Sequence, residues 1–136
     1  MPASTFLEHS EHRVVHSIHV TLRVLFGLVP IVAGIDKFTD LLANWNGYLN
    51  PLVLRIIPLS DVAFMHVVGV IEIIAGALVL TKPRIGAYIV MAWLLAIALQ
   101  LIVWGHFLDI AVRDIVMALG GALTLARLTP YSSPST

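Results

Sequence analysis

Four apolar segments account for most of this chain, at about Ser17–Ile35, Val62–Thr81, Ile85–Trp104 and Ile110–Leu128. Each approaches the ~20 helical residues that cross a ~30 Å hydrocarbon core. In hydrocarbon the backbone must satisfy its own polar groups, which leaves helices or closed barrels, and runs this continuous are not barrel strands. The expected fold is an all-α membrane protein: a four-transmembrane-helix antiparallel bundle with helices at 17–36, 61–81, 85–104 and 109–128.

Composition agrees. The 136 residues are 59% hydrophobic and 12% charged, about half the charged share of a soluble domain. Four spans leave room for one domain and no soluble catalytic module. A formal net charge of zero gives no footprint for nucleic acid. The lack of cysteine excludes disulfides, thiolate metal sites and dithiol relays within the chain.

Residues 1–16 form a polar, histidine-bearing tail or helix extension, and the first apolar run lacks a cleavage pattern, so it stays as an anchor. Residues 129–136 are expected to be a disordered tail. The stretch KFTDLLANWNGYLNPLVLRIIPLS joins the first two helices and is too polar to span. Its Trp45 and Tyr48 suit an interfacial segment at the headgroup level. Ser60 or Asp61 is placed to cap the second helix. Pro83 separates the second helix from the third, and Gly105-His106-Phe107 the third from the fourth. One side of the membrane carries Arg13, Arg23, Lys82, Arg84 and Arg127, the other Lys37, Arg55 and Arg113. That bias predicts cytoplasmic termini, in a bacterial inner (cytoplasmic) membrane.

Helical phase then assigns faces. Arg23, Gly27 and Gly34 share one side of the first helix, and His66, Gly69, Glu72 and Gly76 one side of the second. Small residues at such spacing let transmembrane helices approach closely, so Gly27, Gly34, Gly69 and Gly76, with Gly86 and Gly120 later, are candidate packing positions. Glu72 lies mid-span, where a carboxylate needs a partner or has a task. By depth, Arg23 is the expected partner. The pair can fix register alone or take part in ligand or proton handling. The third helix aligns Gly86, Trp93, Gln100 and Trp104, and Gln100 suits either a neighbouring helix or a carbonyl ligand.

Near the outer ends His66, Trp104, His106, Asp109, Arg113 and Asp114 gather with Asp36 and Lys37. Rings beside a histidine and an acid can hold a flat lipophilic head such as a quinone, although an ordinary aromatic belt uses the same residue types. The candidate ligand residues are therefore Arg23, His66, Glu72, Gln100, Trp104, His106 and Arg113, with no catalytic residue assigned. His9, His12, His16 and His19 share a helix face at spacings that chelate metals. No carboxylate shares that face, so docking on a partner subunit or on lipid headgroups is the competing reading.

With these faces assigned, the segments R23-VLFG-LVPIVAG-IDKF38, W45-NGYL, G69-VIEIIAGALVL80, KPRIGAY88 and R113-DIVMALGGALTLARL128 resemble the DoxX-like family of small four-helix membrane proteins. The resemblance covers roughly Arg23 to Leu128, and its motif positions are Arg23, Gly27, Gly34, Lys37, Phe38, Gly69, Glu72, Gly76, Arg113 and Asp114. It implies a subunit of membrane redox assemblies, linked in the family's namesakes to thiosulfate:quinone oxidoreduction. The expectation is a redox-associated subunit contacting the quinone pool, not catalytic alone, with other membrane subunits as partners or as a homo-oligomer. The competitors are a non-catalytic structural or assembly subunit, and a small transporter or proton pathway acting as an oligomer.

Overall fold

The computed structural model describes residues 3–42 and 44–131, with side chains from Ser10 onward. Among them every regular element is helical. Helix α1 runs Ala3–Asp36, so the polar N-terminal stretch extends the first helix. A 3-10 turn at Trp45–Tyr48 and a short helix α2 (Pro51–Ile56) lead to α3 (Asp61–Thr81) and α4 (Pro83–Trp104). The chain closes with α5 (Leu108–Val116), a π-helical stretch Met117–Ala122, α6 (Leu123–Leu128) and a 3-10 turn at Thr129–Tyr131. Ser10–Asp36, Asp61–Thr81 and Pro83–Trp104 are long and apolar enough to cross a membrane. The apolar run expected as a helix at 109–128 is instead a rod of α5, the π stretch and α6, with helical backbone angles at both joints.

The punctuation follows local chemistry. Ser60 Oγ accepts the Ala63 N–H (3.1 Å), capping α3, and Pro83 takes the first position of α4, where its missing N–H is harmless. Gly105 ends α4 at φ 78°, a conformation that costs glycine little.

α1 packs chiefly on α3. A Cβ at Gly34 would stand 2.5 Å from the Gly69 carbonyl oxygen, and one at Gly69 would stand 2.6 Å from that of Gly34. Gly27 and Gly76 face each other farther along, so four of the expected packing glycines share one seam. Gly86 presses on the α3 backbone at Leu78 and Val79.

Gly120 corrects the expectation, since it faces open space while Gly121 lies against the Phe26 ring. Both glycines sit inside the π stretch. Its wider turn puts everything beyond it about 100° behind a regular helix, so periodicity picked the wrong neighbour. Past that point the rod touches α1 through the π stretch, α6 and Thr129–Tyr131, while α5 makes no extended contact with α1.

The core is built from small residues. Ala75, Val79, Ala87, Val90, Ala122, Leu125 and Ala126 form one buried group, and Ala98, Leu101 and Ala111 a second near the α4–α5 turn. Large apolar residues such as Val24, Leu28, Val32, Ile74 and Leu99 face outward, as they do where the surroundings are hydrocarbon.

The expected C-terminal tail begins later than residue 129. Thr129 is buried and its hydroxyl donates to the Leu125 carbonyl (2.8 Å). That commits the one hydroxyl hydrogen, so His19 Nε2 (3.0 Å) is the donor to Thr129 Oγ1. Residues 132–136 of that tail lie outside the described residues.

The candidate ligand cavity

Glu72 and Lys37 meet in the interior. Lys37 Nζ donates to Glu72 Oε2 at 2.7 Å, and both side chains are more than nine-tenths buried. Trp93 Nε1 donates to the other carboxylate oxygen (3.2 Å). The Lys37 ammonium also lies 3.8 Å from the centre of the Trp45 ring, a cation–π contact. Charges this deep are costly unless paired and hydrogen-bonded, and here each has two partners.

Asp36 holds Trp45 in that position. One of its oxygens accepts the Thr39 hydroxyl (3.0 Å) and the Leu41 N–H (3.0 Å). The other accepts the Leu42 N–H (3.0 Å) and Trp45 Nε1 (2.8 Å). The carboxylate thus folds the chain back sharply after α1 and sets the indole over Lys37. The far end of the connector is tied by Gln100. Gln100 Oε1 accepts the Asn50 N–H (3.1 Å), Nε2 donates to the Tyr48 carbonyl (3.2 Å), and Asn50 Nδ2 donates to the Gln100 carbonyl (3.1 Å).

Gln100→Leu should therefore loosen the connector rather than separate helices. It strands polar groups around buried Asn50, each costing about 1–3 kcal/mol. Amide exchange should accelerate at residues 45–56 and leave α1 and α3 protected. Unchanged exchange there would show that Gln100 is no latch.

Between these two ties lies a cavity of about 720 Å³. α1 contributes Val29, Pro30 and Ala33 to its wall, and the α3 and α4 faces contribute Phe64, Val68, Leu94 and Ile97, among others. The connector lines it with Trp45, Tyr48, Leu49 and Val53, and α5 with Ile110, Arg113 and Asp114. Residues with polar side-chain atoms enter this apolar wall at few points: Lys37, Trp45, Tyr48, Glu72, Trp93, Gln100, Arg113 and Asp114. A mostly apolar chamber with a few fixed polar groups, within the ~300–1,000 Å³ of ordinary ligand pockets, suits a lipophilic molecule with a polar head.

Of the seven candidate ligand residues, the cavity gathers Glu72, Gln100 and Arg113. His66 stacks on Phe38 instead (4.6 Å, 17°), and Trp104 lies against His106 (4.6 Å) in an aromatic group with Phe107, which meets the cavity-lining Tyr48 (4.7 Å). The expected Arg23–Glu72 pair is not formed. The glycine seam sets Arg23 level with Leu80, about 12 Å along the axis from Glu72 at 1.5 Å per residue. There both Nε (3.0 Å) and an Nη of Arg23 donate to the Leu80 carbonyl, a favourable place for a cation at the end of α3. Lys37, one residue past α1, reaches Glu72 instead.

Among the described residues the histidine face does not gather as a metal site. His12 and His16 are exposed, His19 turns to Thr129, and the side chain of His9 lies outside the described residues. Among the described residues no three metal-ligating side chains come together. Periodicity missed Lys37 as the partner of Glu72, and Asp114 as a wall residue. The signal available for both was their place in the outer-end cluster of charged residues.

No protein-family model, curated protein or solved structure matches this chain.

Proposed function

We propose that this chain is an integral protein of a bacterial inner membrane, a four-span antiparallel bundle with cytoplasmic termini. In this reading it serves as a redox-associated subunit whose cavity binds a lipophilic ligand of the quinone class. The observation that carries the reading is the roughly 720 Å³ apolar cavity with Lys37, Glu72, Trp93 and Asp114 in its wall. An apolar chamber opening on hydrocarbon takes an isoprenoid or aromatic body, and its few polar groups orient a ring oxygen. Electrons would come from a partner protein, consistent with the DoxX-like resemblance of the same positions.

Extraction of the chain from native membranes in polymer-bounded lipid discs, with mass spectrometry of bound lipids and proteins, tests this. A stoichiometric quinone is expected, lost in the cavity-filling variant Ile97→Trp while assembly persists. A large complex with no quinone on this chain would favour the competing reading, a non-catalytic assembly subunit. The observation behind that alternative is α1, which leans mainly on α3 and leaves Val14, Val24, Leu28 and Val32 uncovered for another subunit.

A further inference from the structure

The polar groups of the cavity wall differ in how far they are already committed. Lys37 Nζ and Trp93 Nε1 both donate to Glu72, and Gln100 uses its amide oxygen and nitrogen on the connector. Asp114 is different. It is 6% exposed and lines the cavity, and its carboxylate takes part in no hydrogen bond or ion pair among the described residues. No fully occluded side-chain oxygen or nitrogen among the described residues lacks a partner, so the Asp114 oxygens keep some accessible surface, in a residue that lines the cavity. Its neighbour Arg113 is exposed and lies close enough to act on Asp114 as a nearby positive charge, without a hydrogen bond or ion pair to it.

A buried polar group without a partner is the one whose satisfaction changes most when a ligand arrives. A carboxylate only accepts hydrogen bonds. The ligand that completes this wall therefore carries a hydrogen-bond donor on its head. Quinones present carbonyl oxygens alone, which would face Asp114 acceptor to acceptor. Quinols present hydroxyls.

We propose that Asp114 discriminates between the two oxidation states, accepting a hydrogen bond from a ligand hydroxyl so that the cavity holds a quinol in preference to its quinone. This rests on the quinone-class reading of the cavity. A hydrogen bond to a charged acceptor corresponds to roughly tenfold to hundredfold in affinity, which sets the size of the preference.

The test is anaerobic titration calorimetry of the full chain in nanodiscs with decylubiquinone and decylubiquinol. The quinol should bind at least about tenfold more tightly. In Asp114→Asn, whose amide both donates and accepts, the preference should fall to near unity with the quinone affinity unchanged or improved. Equal wild-type affinities, as a protonated Asp114 would give, overturn the inference while leaving the quinone-class reading intact. So does a preference that survives in Asp114→Asn. Binding of neither form overturns both. The wild-type comparison decides the matter even if the variant does not fold.

Discussion

Lys37→Met is expected to destabilise the folded chain by about 3–5 kcal/mol, the cost of leaving one member of a buried ion pair behind. Glu72 has no route out, because it sits within α3 with its oxygens held by Lys37 and Trp93. Glu72→Gln should cost less. Lys37 stands at the end of α1 on a flexible four-carbon stem that can redirect its ammonium toward the membrane surface. The double variant Lys37→Met with Glu72→Leu should regain most of the loss, since two apolar groups of similar volume need no compensation. Unfolding in mixed detergent micelles measures these proteins together with Glu72→Leu, the second single variant of the cycle. Single-variant costs that simply add in the double variant would mean the two residues are not coupled.

The second large effect belongs to the glycine seam. At Gly34, Gly69 and Gly76 a new Cβ meets backbone of the opposite helix, which cannot move aside as a side chain can. Alanine at Gly34 should cost about 1–3 kcal/mol, and valine should part α1 from α3 altogether. Gly27 faces chiefly the Leu80 side chain, so Gly27→Ala should be milder. Gly120→Ala should be nearly neutral because nothing lies within 4 Å. Size-exclusion profiles and unfolding of these variants rank the positions. A Gly120→Ala as damaging as Gly34→Ala would contradict the seam.

What sequence periodicity could see was whatever depends on one helix at a time. The apolar runs, the Ser60 cap, the breaks at Pro83 and Gly105, and the inward faces of Gly27, Gly34, Gly69 and Gly76 all belong to this kind. Partners across helices depend on register, which no single helix contains. Counting from helix ends puts Arg23 and Glu72 level, but the glycine seam sets them eight residues apart. For Gln100 helical phase offers a neighbouring helix or a ligand, and its partner is a connector whose path depends on the Asp36 turn. Helical phase points to Gly120, and a π turn that leaves no mark in hydropathy puts Gly121 against Phe26 instead.

The same π turn has a consequence for how molecules reach the interior. Beyond it the rod closes on α1, and before it α5 stands away from α1, yet both line the cavity. Val29 of α1 and Arg113 of α5 line the cavity and are both exposed, on the side where the two helices do not pack extensively together. If the bundle is embedded as proposed, that side faces the bilayer rather than either aqueous compartment. Occupancy would then follow the ligand's mole fraction among the lipids rather than its concentration in water. A long tail could stay dissolved in the membrane while the head alone turned inward, so affinity would depend little on tail length.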